Sequence, residues 1–269
     1  MRTELISIET DTHPLDGAYY EPDAGEITGS VLLFHGNTMN FYVGAPRFLP
    51  PVLTELGLAC LAFNRRGHDV LSTRNSRDLE GGAYQTSAEA IADNIYAADW
   101  LSAKRHGTPI LIGHSNGGML AVKHAADHPE TPALVLLSAH AGGQDITKLM
   151  SKYELWGKGD LQEIKAVAEG KQPKNLMLLP GWWNAISAES ALDVFNNVPG
   201  ILDQAPKITC PVLYLKGNEE PDDLYPTQAF QEKCSGPCDV EILDGCDHFY
   251  NGFEDTVSKI VADWLKNKL

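Results

Sequence analysis

The stretch GHSNG at residues 113–117 constrains the fold of this chain more than any other feature. It follows a short apolar run at 109–113 that has the length of a buried strand, and it precedes a segment with helical periodicity. A strand that passes directly into a helix needs a sharp turn, and glycines two positions before and after the turn's centre leave room for it. Such a turn exposes the Ser115 hydroxyl and points the Asn116 backbone N–H at the same space. The pattern predicts a nucleophile elbow with Ser115 as the nucleophile.

Apolar runs alternate with helical segments along the rest of the chain. Residues 4–10 alternate apolar and polar side chains, which is typical of a half-exposed edge strand. The runs at 30–36 and 58–67 are continuously apolar, which is typical of strands buried on both faces. This alternation predicts an α/β fold with a mostly parallel, doubly wound sheet. The predicted strands are 4–10, 30–36, 58–67, 109–113, 133–139, 211–217 and 239–245, and the predicted helices are 45–57, 87–107, 115–128 and one from about 253.

The helix at 87–107 has the clearest boundary signals. Ser87 is a candidate N-cap with Glu89 close behind it, and Gly107 marks the end. We expect one apolar stripe to face the core, formed by Ile91, Ile95, Ala98 and Leu101.

Residues 142–206 break the alternation, because they have helical periodicity and no clear buried strand. They stand between two predicted strands of the sheet, so we interpret them as an inserted helical cap, or lid. The predicted core then consists of residues 1–141 and 207–269.

Composition limits the partners that the chain can bind. Its 21 Lys and Arg against 36 Asp and Glu give a formal net charge of -15, and such a field repels nucleic acid and anionic membranes. No run approaches the roughly 18 to 20 apolar residues of a membrane span, and the N-terminus lacks the apolar core of a secretory signal. The five cysteines have no framework spacing, and CSGPC at 234–238 has no second pair of ligands nearby. We therefore expect a cytoplasmic protein with reduced thiols, no metal and no cofactor.

A serine hydroxyl is a weak nucleophile unless a base removes its proton, and that base needs an orienting acid. Of the nine histidines, His248 lies well past the elbow and just after the strand at 239–245, so it is the predicted base. His140 is the rival, but no acid at the end of another strand lies between it and Ser115. We expect His124 and His128, on the helix after the elbow, to face solvent.

The acid is expected in the loop after the strand at 211–217. Four carboxylates compete there, namely Glu219, Glu220, Asp222 and Asp223.

The chain resembles the α/β-hydrolase superfamily across nearly its full length. The resemblance depends on the elbow together with three further motifs: His35-Gly36, Arg66-Gly67-His68 and Asp247-His248. It implies an eight-stranded, mostly parallel sheet with an inserted helical cap. Members of the family usually carry G-x-x-D-P where this chain has GNEEP at 217–221, which places Glu220 where aspartate is common. Asp222 and Asp223 remain alternatives for the acid.

The resemblance also implies an oxyanion hole. In similar proteins one donor is the backbone N–H of the residue just after His-Gly, which is Asn37 here, and the other is the N–H of Asn116. Thr38 is the alternative to Asn37. We expect His35 and His68 to anchor their loops.

Trp182 and Trp183 lie in the predicted cap, where they either line a pocket for an apolar or aromatic acyl group or pack the cap onto the core. His140, at the point where the cap begins, is a candidate third pocket residue. Together these residues predict a serine hydrolase that cleaves a small carboxylic ester or lactone through an acyl-enzyme on Ser115.

C–C bond hydrolysis, acyl transfer and perhydrolysis on the same triad are alternative reactions. A non-catalytic ligand receptor on the same fold is the alternative of a different class, although a pure binder has no need of a serine, an acid and a histidine together. The partner is a small molecule in either case, and the sequence does not specify the oligomeric state.

Overall fold

The computed structural model describes residues 1–73, 78–143, 146–154, 160–179 and 185–268. Within this part of the chain, eight strands form the main sheet and four two-residue strands form two small pairs. The main strands are β1 (Arg2–Ile8), β2 (Leu15–Glu21), β3 (Gly29–Phe34), β4 (Leu58–Phe63), β7 (Ile110–His114), β8 (Leu134–Leu137), β11 (Val212–Gly217) and β12 (Cys238–Leu243). The small pairs are β5 (Ser72–Thr73) with β6 (Leu79–Glu80), and β9 (Leu176–Met177) with β10 (Ile186–Ser187).

The helices connect successive strands. They are α1 (Ala45–Glu55), α2 (Ser87–Ser102), α3 (Asn116–Asp127), α4 (Ile146–Lys152), α5 (Asp160–Ala168), α6 (Ala188–Asn197), α7 (Ile201–Gln204), α8 (Thr227–Lys233) and α9 (Glu254–Lys268), with a 3₁₀ turn at Ala205–Lys207. No helix of the described residues is long and apolar enough to cross a membrane.

The strand order across the main sheet is β1-β2-β4-β3-β7-β8-β11-β12. The pairs β1–β2 and β2–β4 are antiparallel, and every other neighbouring pair is parallel. The predicted mostly parallel, eight-stranded sheet is therefore confirmed. Because parallel strands end at one edge, the loops after β3, β7, β8 and β11 meet there, which is where ligands bind in open α/β sheets.

Apolar layers cover both faces of the sheet. Side chains of successive strand residues point to opposite faces, so Leu32 packs on one side with Leu101 of α2, while Val31 packs on the other with Leu49 of α1 and Val261 of α9. Burial on both faces explains why β3 and β4 appear in the sequence as continuous apolar runs.

Helix α2 begins differently from the prediction. Thr86, rather than Ser87, is the N-cap, because its hydroxyl accepts a bond from the Glu89 N–H while the Glu89 carboxylate accepts one from the Thr86 N–H. The predicted apolar stripe is correct in part: Leu101 is buried and Ile91 and Ala98 pack against the core, but Ile95 is 42% exposed. The buried face includes the polar residue Asp93, which accepts hydrogen bonds from Arg66 and Gln85. The members of this face are Ala90, Asp93, Asn94, Ala97 and Leu101.

Strand β2, helix α8 and the short pair β5–β6 were not predicted, and the prediction for one side chain is wrong. Strand β2 has no regular alternation, and helix α8 has only seven residues, too few for a periodicity. His124 was expected to face solvent, but it packs 6.1 Å from the Phe34 ring and stacks on His128 at 4.3 Å. Burial, and next the neighbouring His128, lower the pKa of His124 to about 4.

The described parts of 142–206 are mainly helical, as predicted, and lie in sequence between β8 and β11. They have an apolar cluster of their own, formed by Ile164, Leu179, Ile186 and Ala191. Among the hydrogen bonds that join them to the rest of the chain, the Ser187 N–H donates to the Ala83 carbonyl at 2.7 Å, the Ile201 N–H donates to the Ala141 carbonyl at 2.9 Å, and the Ser87 N–H donates to the Asp193 carboxylate at 2.6 Å.

Candidate active site

The nucleophile candidate lies in a strained turn between β7 and α3. Ser115 has a φ of 55°, which is rare for a residue other than glycine and costs about 1–3 kcal/mol. A Cβ on Gly113 would lie 2.4 Å from the Gly117 carbonyl oxygen. A Cβ on Gly117 would lie 2.4 Å from the carbonyl oxygens of Phe34 and His35. The backbone segments are therefore so close that only glycine fits on either side of Ser115.

The structure brings Ser115, His248 and Glu220 together in a line. The Nε2 atom of His248 lies 3.1 Å from the Ser115 Oγ, and its Nδ1 atom lies 2.6 Å from the Glu220 Oε1. With Nδ1–H donating to the carboxylate, Nε2 is free to accept the serine proton. The arrangement can therefore generate a nucleophilic alkoxide at Ser115.

Among the four competing carboxylates, Glu220 is the one that contacts His248. Asp222 and Asp223 pair with the side chains of lysines instead, and Glu219 is exposed. The path of the loop after β11 therefore makes Glu220 the candidate acid.

Three donors hold the Glu220 carboxylate. Its Oε2 accepts from the Ser138 hydroxyl at 2.6 Å and from the Gly217 N–H at 2.8 Å, while its Oε1 accepts from His248. Burial alone would raise the pKa of Glu220, but the hydrogen bonds from His248, Ser138 and Gly217 together outweigh it, so the pKa is lowered. Glu220 is therefore ionised at neutral pH.

Two residues that support the acid were not identified from the sequence. The Tyr250 hydroxyl lies 2.7 Å from the Ser138 Oγ and donates to the Leu215 carbonyl at 3.1 Å. Ser138 itself is fully buried and has a positive φ of 45°. The one available signal was position, since Ser138 follows β8 directly and Tyr250 is two residues past His248.

His114 also escaped the sequence analysis, although it directly precedes the nucleophile. Its Nε2 lies 2.8 Å from the backbone carbonyl oxygen of His248. Burial, and next the nearby His248, lower its pKa to about 4, so His114 is neutral and donates this bond through Nε2–H. The bond ties the backbone of the candidate base to the end of β7.

The two oxyanion candidates line the same cavity as Ser115. Asn116 opens α3, so its N–H is one of the first-turn donors that have no partner within a helix. Asn37 lies in the loop after β3, which His35 anchors, as expected. The His35 Nε2 accepts a hydrogen bond from the Arg65 N–H at 3.1 Å, and the His35 Nδ1 donates one to the Gly36 carbonyl at 2.8 Å.

The cavity at Ser115 also contains His140, so three of the predicted pocket and oxyanion residues meet there. Trp182 and Trp183 lie outside the described residues. Among the described side chains, no group of three His, Cys, Asp or Glu could hold a metal ion. The other lining residues are Gly82, Gln85, Thr86, Ser87, Ala90, Met119, Leu120, Ile186, Asp193, Val194 and Val198.

Known proteins match this architecture. A family model described as alpha/beta hydrolase fold matches residues 29–189. Among solved structures, Est1E from Butyrivibrio proteoclasticus with bound ferulic acid is similar, with a TM-score of 0.74, 20% identity and 98% of each chain covered. An esterase domain of a Rhodothermus marinus protein has a TM-score of 0.68 at 18% identity, covering 99% of each chain.

The monoacylglycerol lipase of Paleococcus ferrophilus is similar too, with a TM-score of 0.69 and 18% identity over 95% of this chain and 99% of that one. At these identities the structures show the shared fold. The family model covers more than half of the chain, and the protein therefore belongs to the alpha/beta hydrolase fold family, as its motifs predicted.

Proposed function

We propose that the protein is a serine hydrolase that cleaves a small carboxylic ester or lactone through an acyl-enzyme on Ser115. The observation that carries the proposal is the line of two hydrogen bonds from Ser115 through His248 to Glu220, at 3.1 and 2.6 Å. Family membership supports it, as do the names of the similar structures, which include an esterase domain and a lipase.

In the proposed reaction, His248 takes the Ser115 proton as the Oγ attacks the substrate carbonyl. The Glu220 carboxylate stabilises the imidazolium that forms. The N–H groups of Asn37 and Asn116 donate to the developing oxyanion, each worth about 3 kcal/mol of transition-state stabilisation. His248 then protonates the leaving alcohol, and it activates the water that releases the acid from Ser115.

The cavity supports a substrate with a small, apolar acyl group. Met119 and Leu120 of α3 form one part of its wall, and Ile186, Val194 and Val198 form another. Because the last three belong to residues 142–206, we propose that this insertion acts as a cap over the acyl site. Ferulic acid, bound by Est1E, makes an aromatic acyl group a reasonable member of the test panel.

A fluorophosphonate probe tests the proposed function. The native protein should gain the mass of one phosphonyl group, and Ser115→Ala should gain none while retaining its melting temperature. Ester turnover by Ser115→Ala should fall by about 10⁴-fold or more. Ser102→Ala, which removes an exposed hydroxyl at the end of α2 outside the cavity, should label and turn over esters normally.

Labelling of Ser115→Ala, or its retention of activity, would contradict the assignment of the nucleophile. A native protein that neither labels nor hydrolyses any member of an ester and lactone panel graded by acyl size would instead be a binding protein.

A further inference from the structure

We propose that His140 donates a hydrogen bond to the substrate, and that the protein selects esters whose acyl group carries a second, uncharged oxygen acceptor such as a ketone, ether or hydroxyl oxygen. The inference rests on the proposed hydrolase function and deepens it by naming a substrate class. Four observations support it: the tautomer of His140, its neutrality, its position and the charge of the cavity wall.

The backbone determines the tautomer of His140. The Gly142 N–H donates to His140 Nδ1 at 3.1 Å, and a ring nitrogen that accepts a hydrogen bond carries no proton, so the neutral ring is protonated at Nε2. Gly142 has a φ of 59°, and a Cβ on it would lie 2.1 Å from the Pro199 carbonyl oxygen. This close packing keeps the donor N–H in place, so His140 presents Nε2–H as a permanent donor.

His140 is neutral at physiological pH. It is 7% exposed. Burial, and next the nearby His248, lower its pKa to about 4. The Tyr225 ring stands perpendicular to it at 5.9 Å and offers no charge. His140 therefore acts as a hydrogen-bond donor without bringing a positive charge to the site.

The position of His140 places this donor beside the nucleophile. Its backbone N–H donates to the Ser115 carbonyl at 3.1 Å, and its side chain lines the cavity that contains Ser115. Nδ1 is directed at its own loop, so Nε2–H points away from that loop, and the proposal places it on the cavity side. The acyl group remains bonded to Ser115 until water releases it, so this cavity holds the acyl group through both steps.

The cavity wall selects an uncharged acceptor. None of its described lining residues is Lys or Arg, and the one charged side chain among them is Asp193. A carboxylate on the acyl group would meet this negative charge without a cation to offset it. An ether, ketone or hydroxyl oxygen would accept a hydrogen bond from His140 Nε2–H at no electrostatic cost, whereas an all-carbon chain would leave that buried donor unpaired.

Pairs of 4-nitrophenyl esters that differ by one oxygen test the proposal. We compare 3-methoxypropanoate with pentanoate, 4-methoxybutanoate with hexanoate and 4-oxopentanoate with 4-methylpentanoate, each kcat/KM divided by the rate constant for hydroxide-catalysed hydrolysis of the same ester. The native protein should prefer the oxygenated member of at least one pair by about tenfold or more. A corrected ratio near one for all three pairs would overturn the proposal.

Variants then assign the preference to His140. His140→Phe keeps a planar ring without the donor and should bring the ratio close to one, whereas His140→Gln, which keeps an N–H donor, should retain part of it. Val194→Ala, a matched change in the apolar wall, should alter kcat/KM for both members of a pair equally. A ratio that is unchanged in folded His140→Phe would contradict the inference. If His140→Phe does not fold, the ratio in His140→Gln and the native corrected ratios decide.

Failure of this inference is distinguishable from failure of the proposed function. A protein that reacts with the fluorophosphonate and hydrolyses both members of each pair equally is a hydrolase without the His140 selection. A protein that does not react at all fails at the earlier step.

Discussion

Glu220 is a glutamate at a position where the resemblance implies aspartate. The hydrogen bonds around its carboxylate predict the effect of replacing it with glutamine. Its Oε2 accepts from Ser138 and Gly217, so the single oxygen of a glutamine would face those two donors. The amide NH₂ would then face His248 Nδ1 and favour the ring tautomer with its proton on Nε2, which cannot accept the Ser115 proton. We expect Glu220→Gln to lower kcat by about 10²- to 10⁴-fold while the protein remains folded.

Neighbouring carboxylates provide the controls for this variant. Asp222→Asn and Asp223→Asn, made separately, should each lower kcat by less than about tenfold, because both side chains pair with lysines rather than with His248. Steady-state measurements of kcat on one ester compare the three variants. A large loss in either control, with none in Glu220→Gln, would show that the acid is wrongly assigned.

The pH dependence of kcat/KM should reveal one histidine. The pKa of Glu220 is lowered, and those of His114 and His140 are about 4, so none of the three changes charge between pH 5 and 8. His248 must be neutral to act as a base, so kcat/KM should rise once as the pH is raised and then level off. A profile that stays flat down to pH 5 would argue against a histidine base.

The sequence identifies Ser115 and His248 as candidates because each has a local signature. Ser115 has flanking glycines, and His248 follows the last strand. Four carboxylates lie within five residues of one another, and the resemblance implied Glu220 while Asp222 and Asp223 stayed alternatives. The loop path shows that Glu220 is the one in contact with His248. Ser138 could not be found this way, because it meets Glu220 and Tyr250 across 82 and 112 residues of chain.

At the scale of elements, the junction of β7 and α3 depends on backbone contact. A Cβ at Gly117 would meet two carbonyl oxygens of the β3 end, at Phe34 and His35, and backbone cannot rotate away as a side chain can. We expect Gly117→Ala to lower the free energy of unfolding by about 1–3 kcal/mol and to reduce activity by displacing Ser115. Urea denaturation and ester kinetics measure the two effects.

Gly29→Ala is the matched control, because the nearest atom to its Cβ is the end of the Leu58 side chain at 3.1 Å. It should change the free energy of unfolding and the activity less than Gly117→Ala. Equal behaviour of the two variants would mean that the elbow tolerates a methyl group.

The elements that were predicted well are those with one dominant physical cause. Parallel strands buried on both faces appear as apolar runs, and β3, β4, β7, β8 and β11 were all found that way. The buried face of α2 was misplaced because Asp93 lies inside it, where it bonds the Arg66 side chain at 2.7 Å. A satisfied buried carboxylate has the same appearance in a sequence as an exposed one.

At the scale of the whole molecule, buried histidines link stability to pH. His114, His124 and His140 have pKa values of about 4 in the folded protein, against an ordinary value of 6.5. As the pH falls, the unfolded chain takes up protons at these histidines before the folded protein does. The stability that the neutral histidines contribute is therefore fully present above pH 6.5 and is lost as the pH falls towards 4. The melting temperature should therefore decrease steadily from pH 7 to pH 4.5.

His124 allows this effect to be tested apart from catalysis, because it lies on α3 outside the cavity at Ser115. His124→Leu should reduce the slope of melting temperature against pH and leave kcat at pH 7.5 unchanged. An identical slope in the variant and the native protein would show that His124 remains protonated on folding.

The Asp193 carboxylate in the cavity wall has a consequence for the end of each turnover. In the proposed reaction, hydrolysis converts an uncharged acyl group into an anion, and that anion forms beside the Asp193 carboxylate in a protein of formal net charge -15. The same wall that tolerates the ester therefore repels the acid made from it, and repulsion increases as the product ionises. In the proposed reaction this repulsion favours release of the acid product and opposes its re-esterification.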